Sequence, residues 1–280
     1  TGGVIAGLVG VAAIVAGQQS DRPAATETAT APQVPQVPEV VTTEDNVQPA
    51  AVAVERTQPI IHDSAALSFS AHFPQATEMR LVTAALRAEA SDYLERARRE
   101  ARAADPAIVD QQWEVNIAWS TIATAGGYAS MLGRSNEYRG GAHPIQLVDT
   151  RLMSLRDGKE VPLADFFESR AWPTPAVAIA VCEELKKAKT ESVGAATVFD
   201  EPIICAGPRN NLKMDEARLA FAASHSGSGF GGLHVLYQPY AVGSYAEGGY
   251  ELTIPADVFR EDVRKEYREL FSGDPAPLAN

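Results

Sequence analysis

The segment 138–167 constrains the fold most, because it places a hairpin signal beside a long apolar stretch. Its sequence is YRGGAHPIQLVDTRLMSLRDGKEVPLADFF. Asp157 and Gly158 form a tight-turn pair, which favours a two-residue hairpin because both residues tolerate a positive φ. An apolar run over residues 145–155 precedes the turn, and the short apolar turn LADFF follows it. We therefore expect local strand pairing at the centre of the folded part.

Strand and helix patterns on both sides of this hairpin predict the fold class. Strands with alternating or apolar patterns are predicted over residues 66–73, 112–124, 128–132, 219–224, 233–240 and 250–254. Helices are predicted over residues 77–104, from Pro173 or Thr174 to about Lys189, and over residues 257–271. Six to eight locally connected strands and three helices indicate an α+β fold, with a largely antiparallel sheet and about three packed helices.

Residues 1–17 are predicted to be a transmembrane anchor or a signal segment. Residues 2–17 carry no charge, and as a helix they would span about 24 Å, less than the roughly 30 Å hydrocarbon core. Either a membrane anchor whose start is missing or the apolar region of a signal peptide fits this pattern, and we favour the anchor. Because the sequence begins at Thr1 without a basic leader, we expect a trimmed upstream segment. The expected location is a single-pass protein of the cell membrane, with its folded domain outside the cytoplasm, in the periplasm.

Residues 18–60 are predicted to be a disordered, proline-rich linker. Six prolines interrupt the segment, and it contains the short repeat PQVPQVPEV, which favours extended polyproline II structure. It has too little apolar area to offset the entropy of ordering. The folded domain is accordingly assigned to residues 61–280.

The two cysteines, Cys182 and Cys205, predict one disulfide if the chain is exported. No C-x-x-C pattern is present, which argues against a redox motif or a zinc ribbon. The bond would close a loop of 24 residues, worth roughly 3 kcal/mol on the loop-entropy model. In a cytosolic chain, two buried free thiols would be the alternative.

The acidic balance of the chain restricts its partners. The formal net charge is −12 and the pI is near 4.9. Phosphate backbones repel such a surface, so we expect no nucleic-acid partner. A basic protein or a cationic surface would suit it, and the alternative is that the charge serves solubility alone.

Several residues could carry chemistry, but none forms a complete motif. Gly227, Gly229 and Gly232 fit the dinucleotide spacing, yet a strand follows them instead of a helix, so a hairpin loop is expected. The five histidines lack the spacing of a metal site, and we predict neither a metal nor a cofactor. A cell-wall hydrolase using His143 or a pair of carboxylates remains the alternative to a non-enzymatic domain. The candidate carboxylates are Asp149, Asp157, Asp165, Glu247 and Glu251.

Two motifs in the same order resemble a known family. The first is GGAHP at residues 140–144, followed by DGKEVPLADFF; the second is QPYAVGSYAEGGYELTIP at residues 238–255. Together they resemble the RsiV-type and PdaC N-terminal-type extracytoplasmic domains, found in a lysozyme-sensing anti-sigma factor and beside peptidoglycan deacetylases. The resemblance covers roughly residues 62–270. It implies an α+β domain outside the cytoplasmic membrane and, for the RsiV type, binding of lysozyme.

The expected function is therefore binding and not catalysis, with a lysozyme-like hydrolase or peptidoglycan as the ligand. A purely structural envelope domain is a further alternative. We predict that binding uses Tyr138, His143 and Tyr245, because glycine and proline shape the loops that carry them and tyrosine suits recognition surfaces. Tyr240 and Tyr250 are expected instead to be core aromatics that close the sheet.

Overall fold

The computed structural model describes residues 58–104, 111–168, 173–193 and 212–279, all within one compact unit, Val47–Asn280. Its strands are β1 Ile60–Asp63, β2 Leu67–His72, β3 Trp113–Ala125, β4 Tyr128–Tyr138, β5 Ile145–Ser154, β6 Arg218–Ala223, β7 Phe230–Tyr237 and β8 Tyr250–Pro255. Its α-helices are α1 Arg80–Ala103 and α2 Pro175–Val193. The predicted α+β class is confirmed.

The first sheet has the order β1-β2-β3-β4-β5. Its neighbours pair antiparallel except β2 and β3, which are parallel and joined across the sheet by α1. Parallel neighbours need such a crossover because their connection must return to the starting edge. Helix α1 buries one apolar stripe, including Val82, Leu86 and Ala97, in the same core as Phe69 of β2 and Val115 of β3. Helix and strands therefore share one interior.

The second sheet, β6-β7-β8, is antiparallel and forms the other core. Every residue of β7 is buried, as expected for a central strand covered on both faces. Val177, Val181 and Leu185 of α2 lie in this core with Leu233 and Ile254. The glycine-rich segment before β7 leads into a strand, so the predicted hairpin loop is confirmed.

The chain turns at Asp157 and Gly158, but the predicted two-residue hairpin is wrong: residues 155–158 form a four-residue loop, and the pairing around it is short. Gly158 has a φ of +69°. The backbone N–H of Ser154 donates to the carbonyl oxygen of Lys159 at 2.8 Å, and a single bridge pairs Met153 with Glu160. The chain then enters a 3₁₀ turn that buries Phe166 in the second core.

The predicted C-terminal α-helix over residues 257–271 is wrong. That stretch forms three short 3₁₀ helices, Ala256–Val258, Arg260–Asp262 and Lys265–Leu270. Val263 has extended backbone angles and bridges Phe167, while the N–H of the following Arg264 donates to the carbonyl oxygen of Phe166. Tertiary pairing with the 3₁₀ turn thus overrides a helical periodicity that the sequence does contain.

Some predictions fall on residues that the structure does not describe. The anchor or signal segment, nearly all of the linker, and Cys205 lie outside the described residues. In the described part of the chain, no helix combines the length and the apolarity needed to cross a membrane. Cys182 is fully buried on α2.

Candidate functional site

Three aromatic side chains from two loops form one exposed group, here called the aromatic cluster: His143, Tyr240 and Tyr245. His143 lies in the β4–β5 loop, and the two tyrosines lie in the β7–β8 connection. The rings of His143 and Tyr245 stack with centroids 4.7 Å apart and planes 21° apart. The ring centroids of Tyr240 and Tyr245 are 5.3 Å apart, and their planes are 31° apart. Tyr245 keeps 46% and Tyr240 64% of its surface exposed. The fold thus joins the two sequence motifs on its surface.

Tyr138 supports the β4–β5 loop instead of extending the ring stack. It ends β4, is half-buried, and its hydroxyl donates a hydrogen bond to the carbonyl oxygen of Gly141 at 3.1 Å. Within the loop, Nδ1 of His143 lies 3.1 Å from the carbonyl oxygen of Pro144. A carbonyl only accepts, so Nδ1 is the donor in this contact.

Arg139 ties the base of the β4–β5 loop to the body of the domain. Its guanidinium contacts Glu100 of α1 at 3.0 Å and donates to the hydroxyl of Tyr93 at 2.5 Å. It also lies 5.3 Å from the ring centroid of Trp113, a cation–π distance. Burial, followed by the nearby carboxylate of Glu137, raises the pKa of Tyr93 to about 12. These contacts of Arg139 hold the first residue of the β4–β5 loop against the domain.

Glu247 holds the turn that carries Tyr245. Its Oε2 accepts hydrogen bonds from Nζ of Lys189 and from the hydroxyl of Tyr250, both at 2.8 Å. Its Oε1 accepts from the backbone N–H of Ser244 at 2.8 Å and from the Ser244 hydroxyl at 3.1 Å. The hydrogen bond from Lys189, then that from the Ser244 backbone, lowers the pKa of Glu247 to about 2. Both carboxylate oxygens of Glu247 therefore accept hydrogen bonds that stabilise this turn.

Tyr240 occupies an unfavourable backbone conformation in a tight turn. The N–H of Ala241 donates to the carbonyl oxygen of Gln238 at 3.1 Å, and Tyr240 has a φ of +73°. With Pro239 before it, this is a type II β-turn, whose third position favours Gly or Asn. The expectation that Tyr240 is a core aromatic is wrong, because this turn directs the chain outward. Tyr250 is buried as expected. The Pro-Tyr pair was the signal that could have revealed the turn.

A shallow depression of about 290 Å³ adjoins the aromatic cluster at Tyr240. Its other wall consists of Asp215 and Glu216, just before β6, and Arg218, the first residue of β6. A somewhat larger depression, about 340 Å³, lies elsewhere, beside irregularities in β3 and β6. Glu78 is its one charged lining residue among the described ones, so it offers less chemistry.

The candidate catalytic carboxylates do not gather around His143. Asp149 pairs with Arg151 at 3.3 Å, and Glu251 pairs with Arg134 at 2.8 Å. The other three are placed elsewhere: Asp157 in the hairpin turn, Asp165 in the 3₁₀ turn Leu163–Phe166, and Glu247 in the network described above.

The histidines outside the cluster show no metal-binding arrangement. His234 is buried in β7, its Nδ1 lies 3.1 Å from Oγ1 of Thr253, and burial lowers its pKa. In the ranges that the structure covers, no three His, Cys, Asp or Glu side chains come together closely enough to hold a metal ion.

The fold and site together define an α+β domain with two mainly antiparallel sheets and an exposed aromatic cluster between two loops. Neither family models nor curated proteins match the sequence. Among solved structures, a DUF3298 family member from Bacteroides fragilis is similar at 14% identity and a TM-score of 0.45, over 75% of this chain and 93% of that one. A DUF3298 family protein from Pseudomonas aeruginosa is similar at 16% identity and a TM-score of 0.39, over 64% of this chain and 70% of that one. At these values the likeness carries no argument about function, and the RsiV- and PdaC-type resemblance stays a prediction.

Proposed function

We propose that this chain is a binding domain of the bacterial cell envelope, held outside the cytoplasm by its N-terminal segment and without hydrolytic activity of its own. The aromatic cluster is its recognition surface. A lysozyme-like hydrolase or peptidoglycan is its ligand, in keeping with the RsiV- and PdaC-type resemblance of the two motifs.

The observation that carries this proposal is the stacking of His143 on Tyr245. These residues are about a hundred positions apart in sequence, yet their rings are in contact and both residues are exposed. Exposed aromatic rings do not contribute the hydrophobic free energy that burial would give. Because aromatic side chains lose little conformational entropy when they are fixed, they make effective binding anchors. The bonds that fix Arg139 and Glu247 hold both loops in place before any ligand arrives, which reduces the entropic cost of binding.

The charge of the chain supports a basic protein ligand in particular. A net charge of −12 attracts a cationic lysozyme-like protein at long range. Such attraction acts mainly on the association rate and weakens as salt screens it. A salt-dependent association rate is therefore expected for a hydrolase ligand, and a much weaker salt dependence for an uncharged wall fragment.

The test compares the wild-type chain with the double variant His143→Ala, Tyr245→Ala. Binding to hen egg-white lysozyme and to soluble peptidoglycan fragments is measured by calorimetry. Loss of both rings should weaken binding to at least one of these by about 2 kcal/mol or more, because anchors at the centre of a contact dominate its energy.

A matched control removes similar side chains from a different part of the surface. Ile61→Ala with His72→Ala alters two exposed residues on β1 and β2 and should leave the affinity unchanged. Thermal unfolding of each variant verifies the fold. If wild type binds neither ligand, or the folded cluster variant binds as tightly as wild type, the proposed function is wrong.

A further inference from the structure

We propose that the depression beside Tyr240 is a sugar-binding subsite that takes one uncharged pyranose unit of a polysaccharide. The inference rests on the proposed envelope function and deepens it by naming the ligand class and the residues that recognise it. It is argued from the ring, from the conformation of the two walls, and from the polar groups that line them.

The first wall presents an aromatic ring at a backbone position that disfavours it. A tyrosine in the third position of a type II turn is less favourable than glycine, because its Cβ atom crowds the backbone at positive φ. The turn of Tyr240 therefore keeps its ring at the surface against both the backbone preference and the hydrophobic effect. Contact with Tyr245, which is itself stacked on His143, supports the ring from the cluster side.

The segment that leads to the second wall contains a comparable conformation. Lys213 has a φ of +46° and, with Tyr240, makes up the non-glycine residues at positive φ in the described chain. Tyr237, at the end of β7, donates from its hydroxyl to the carbonyl oxygen of Leu212 at 2.8 Å. Pro239 and Tyr240 follow two and three residues later on the opposite wall. The first wall thus follows directly from the end of β7, and a hydrogen bond from that same strand end holds the segment that leads to the second wall. Backbone conformations at positive φ cluster at functional sites.

The lining suits a pyranose ring. Sugars present apolar C–H faces, which pack on an aromatic ring, and rims of hydroxyl groups, which both donate and accept. Beside Tyr240 stand two carboxylates, Asp215 and Glu216, together with the guanidinium of Arg218 and the amide of Gln238. At about 290 Å³, the space lies at the lower limit of small-molecule sites, which fits one ring better than a long ligand.

The charges select among polysaccharides. Glu216 pairs with Lys213 at 3.2 Å, and Asp215 adds a further negative charge to the rim. Arg218 on the same lining balances Asp215, so the rim gives a uronate or phosphorylated unit no net attraction, while the net charge of −12 on the chain disfavours anions. The subsite therefore favours uncharged units such as N-acetylhexosamines. A protein ligand of standard size would instead bury about 800 Å² on each partner, far more than this depression offers.

The experiment titrates the 280-residue chain with tri-N-acetylchitotriose, and with a trigalacturonate as the anionic probe, by NMR and calorimetry. Tyr240→Asn removes the ring but suits the turn, so it should raise the thermal midpoint while lowering affinity for the chitotriose by about tenfold or more. Tyr240→Phe keeps the ring and should retain most of the affinity. Ile61→Ala changes an exposed residue on β1, outside both walls, and should leave binding within about twofold of wild type.

The outcomes separate this inference from the proposed function. Chitotriose binding that Tyr240→Asn leaves unchanged, or equal binding of the trigalacturonate, would overturn the subsite. Cluster-dependent binding of lysozyme without any binding of chitotriose would also overturn it, while the proposed function stands. If wild type binds neither lysozyme nor any sugar probe, both proposals fail together.

Discussion

A single carboxylate explains why the β7–β8 connection can present an aromatic residue. Lys189 is only 5% exposed, and its ammonium group is 2.8 Å from Glu247. Breaking a buried pair from one side leaves a charge without its counterpart, which is costly. Added to the bonds from Tyr250 and Ser244, the pair makes the turn around Tyr245 an extension of helix α2 and strand β8. The turn around Tyr245 is thus held in place by residues of the core.

The depressed pKa of Glu247 predicts acid sensitivity. It falls from an ordinary 4.5 to about 2 in the folded chain. Because the folded-state value is the lower one, the stabilisation is complete above about pH 4.5 and is lost as the pH falls towards about 2. The free energy of unfolding, measured by urea denaturation from about pH 6 down to about pH 3, should fall less steeply in Glu247→Gln than in wild type.

An exposed carboxylate provides the control for this experiment. Glu261 is 90% exposed and lies 3.5 Å from Arg268, so Glu261→Gln makes the same chemical change without breaking a buried pair. It should retain the pH slope of wild type and nearly its stability. Equal slopes for wild type and Glu247→Gln would show that the turn does not depend on this carboxylate.

At the scale of elements, the hairpin turn supports helix α1 as well as the strands. A Cβ atom built on Gly158 would lie 2.5 Å from the carbonyl oxygen of Leu81, in the first turn of α1. Backbone atoms cannot rotate away as a side chain can. Gly158→Ala should therefore lower the free energy of unfolding by about 3 kcal/mol, through the positive φ and the clash together. Chemical denaturation measures the change.

Gly127 offers a matched comparison, because its φ of +84° is similar and a Cβ atom there would meet nothing within 4 Å. Gly127→Ala should cost about 1 kcal/mol, which is the conformational term alone. If the two variants lose equal stability, the close approach between the turn and α1 has no energetic weight.

Local patterns predicted the elements better than their partners. The alternation of residues 112–124, the turn at Gly158 and the long helix after Thr77 are all present in the structure. Parallel pairing of β2 with β3 was not predicted, since periodicity carries no information about which strand lies alongside. The C-terminal stretch failed for the opposite reason, because its helical spacing is outweighed by pairing with Phe166 and Phe167.

The candidate site was predictable in part. Glycine and proline drew attention to the two loops, and the stacked rings of His143 and Tyr245 belong to residues singled out in advance. The contact itself depends on how the second sheet meets the first, which no local pattern specifies. Tyr240 was misplaced because alternation along residues 233–240 suggested a continuing strand, whereas Pro239 ends the pairing and starts a turn.

At the scale of the whole domain, the proposed recognition surface lies where the two sheets meet. The side-chain amide of Gln238, which opens the second motif, donates to the carbonyl oxygen of Val148 on β5 at 3.0 Å. Arg134 and Glu251 add an ion pair between β4 and β8. That pair is about two-fifths exposed, so it contributes little stability, but it helps to fix the orientation. If the cluster binds a ligand as proposed, its affinity should be sensitive to any change that shifts one sheet on the other.

The export of the domain can be tested through its cysteines. We predict that Cys182 and Cys205 form a disulfide in protein taken from its native compartment, because an oxidising environment and a 24-residue loop favour it. Cys182 is fully buried, so a thiol and a disulfide would both resist reagents in the folded state. Alkylation in denaturant, followed by mass spectrometry with and without prior reduction, distinguishes them.

Protein expressed in a reducing cytoplasm should show two free thiols and, by the loop-entropy model, about 3 kcal/mol less stability. Two free thiols in the native sample would show that the predicted disulfide does not form.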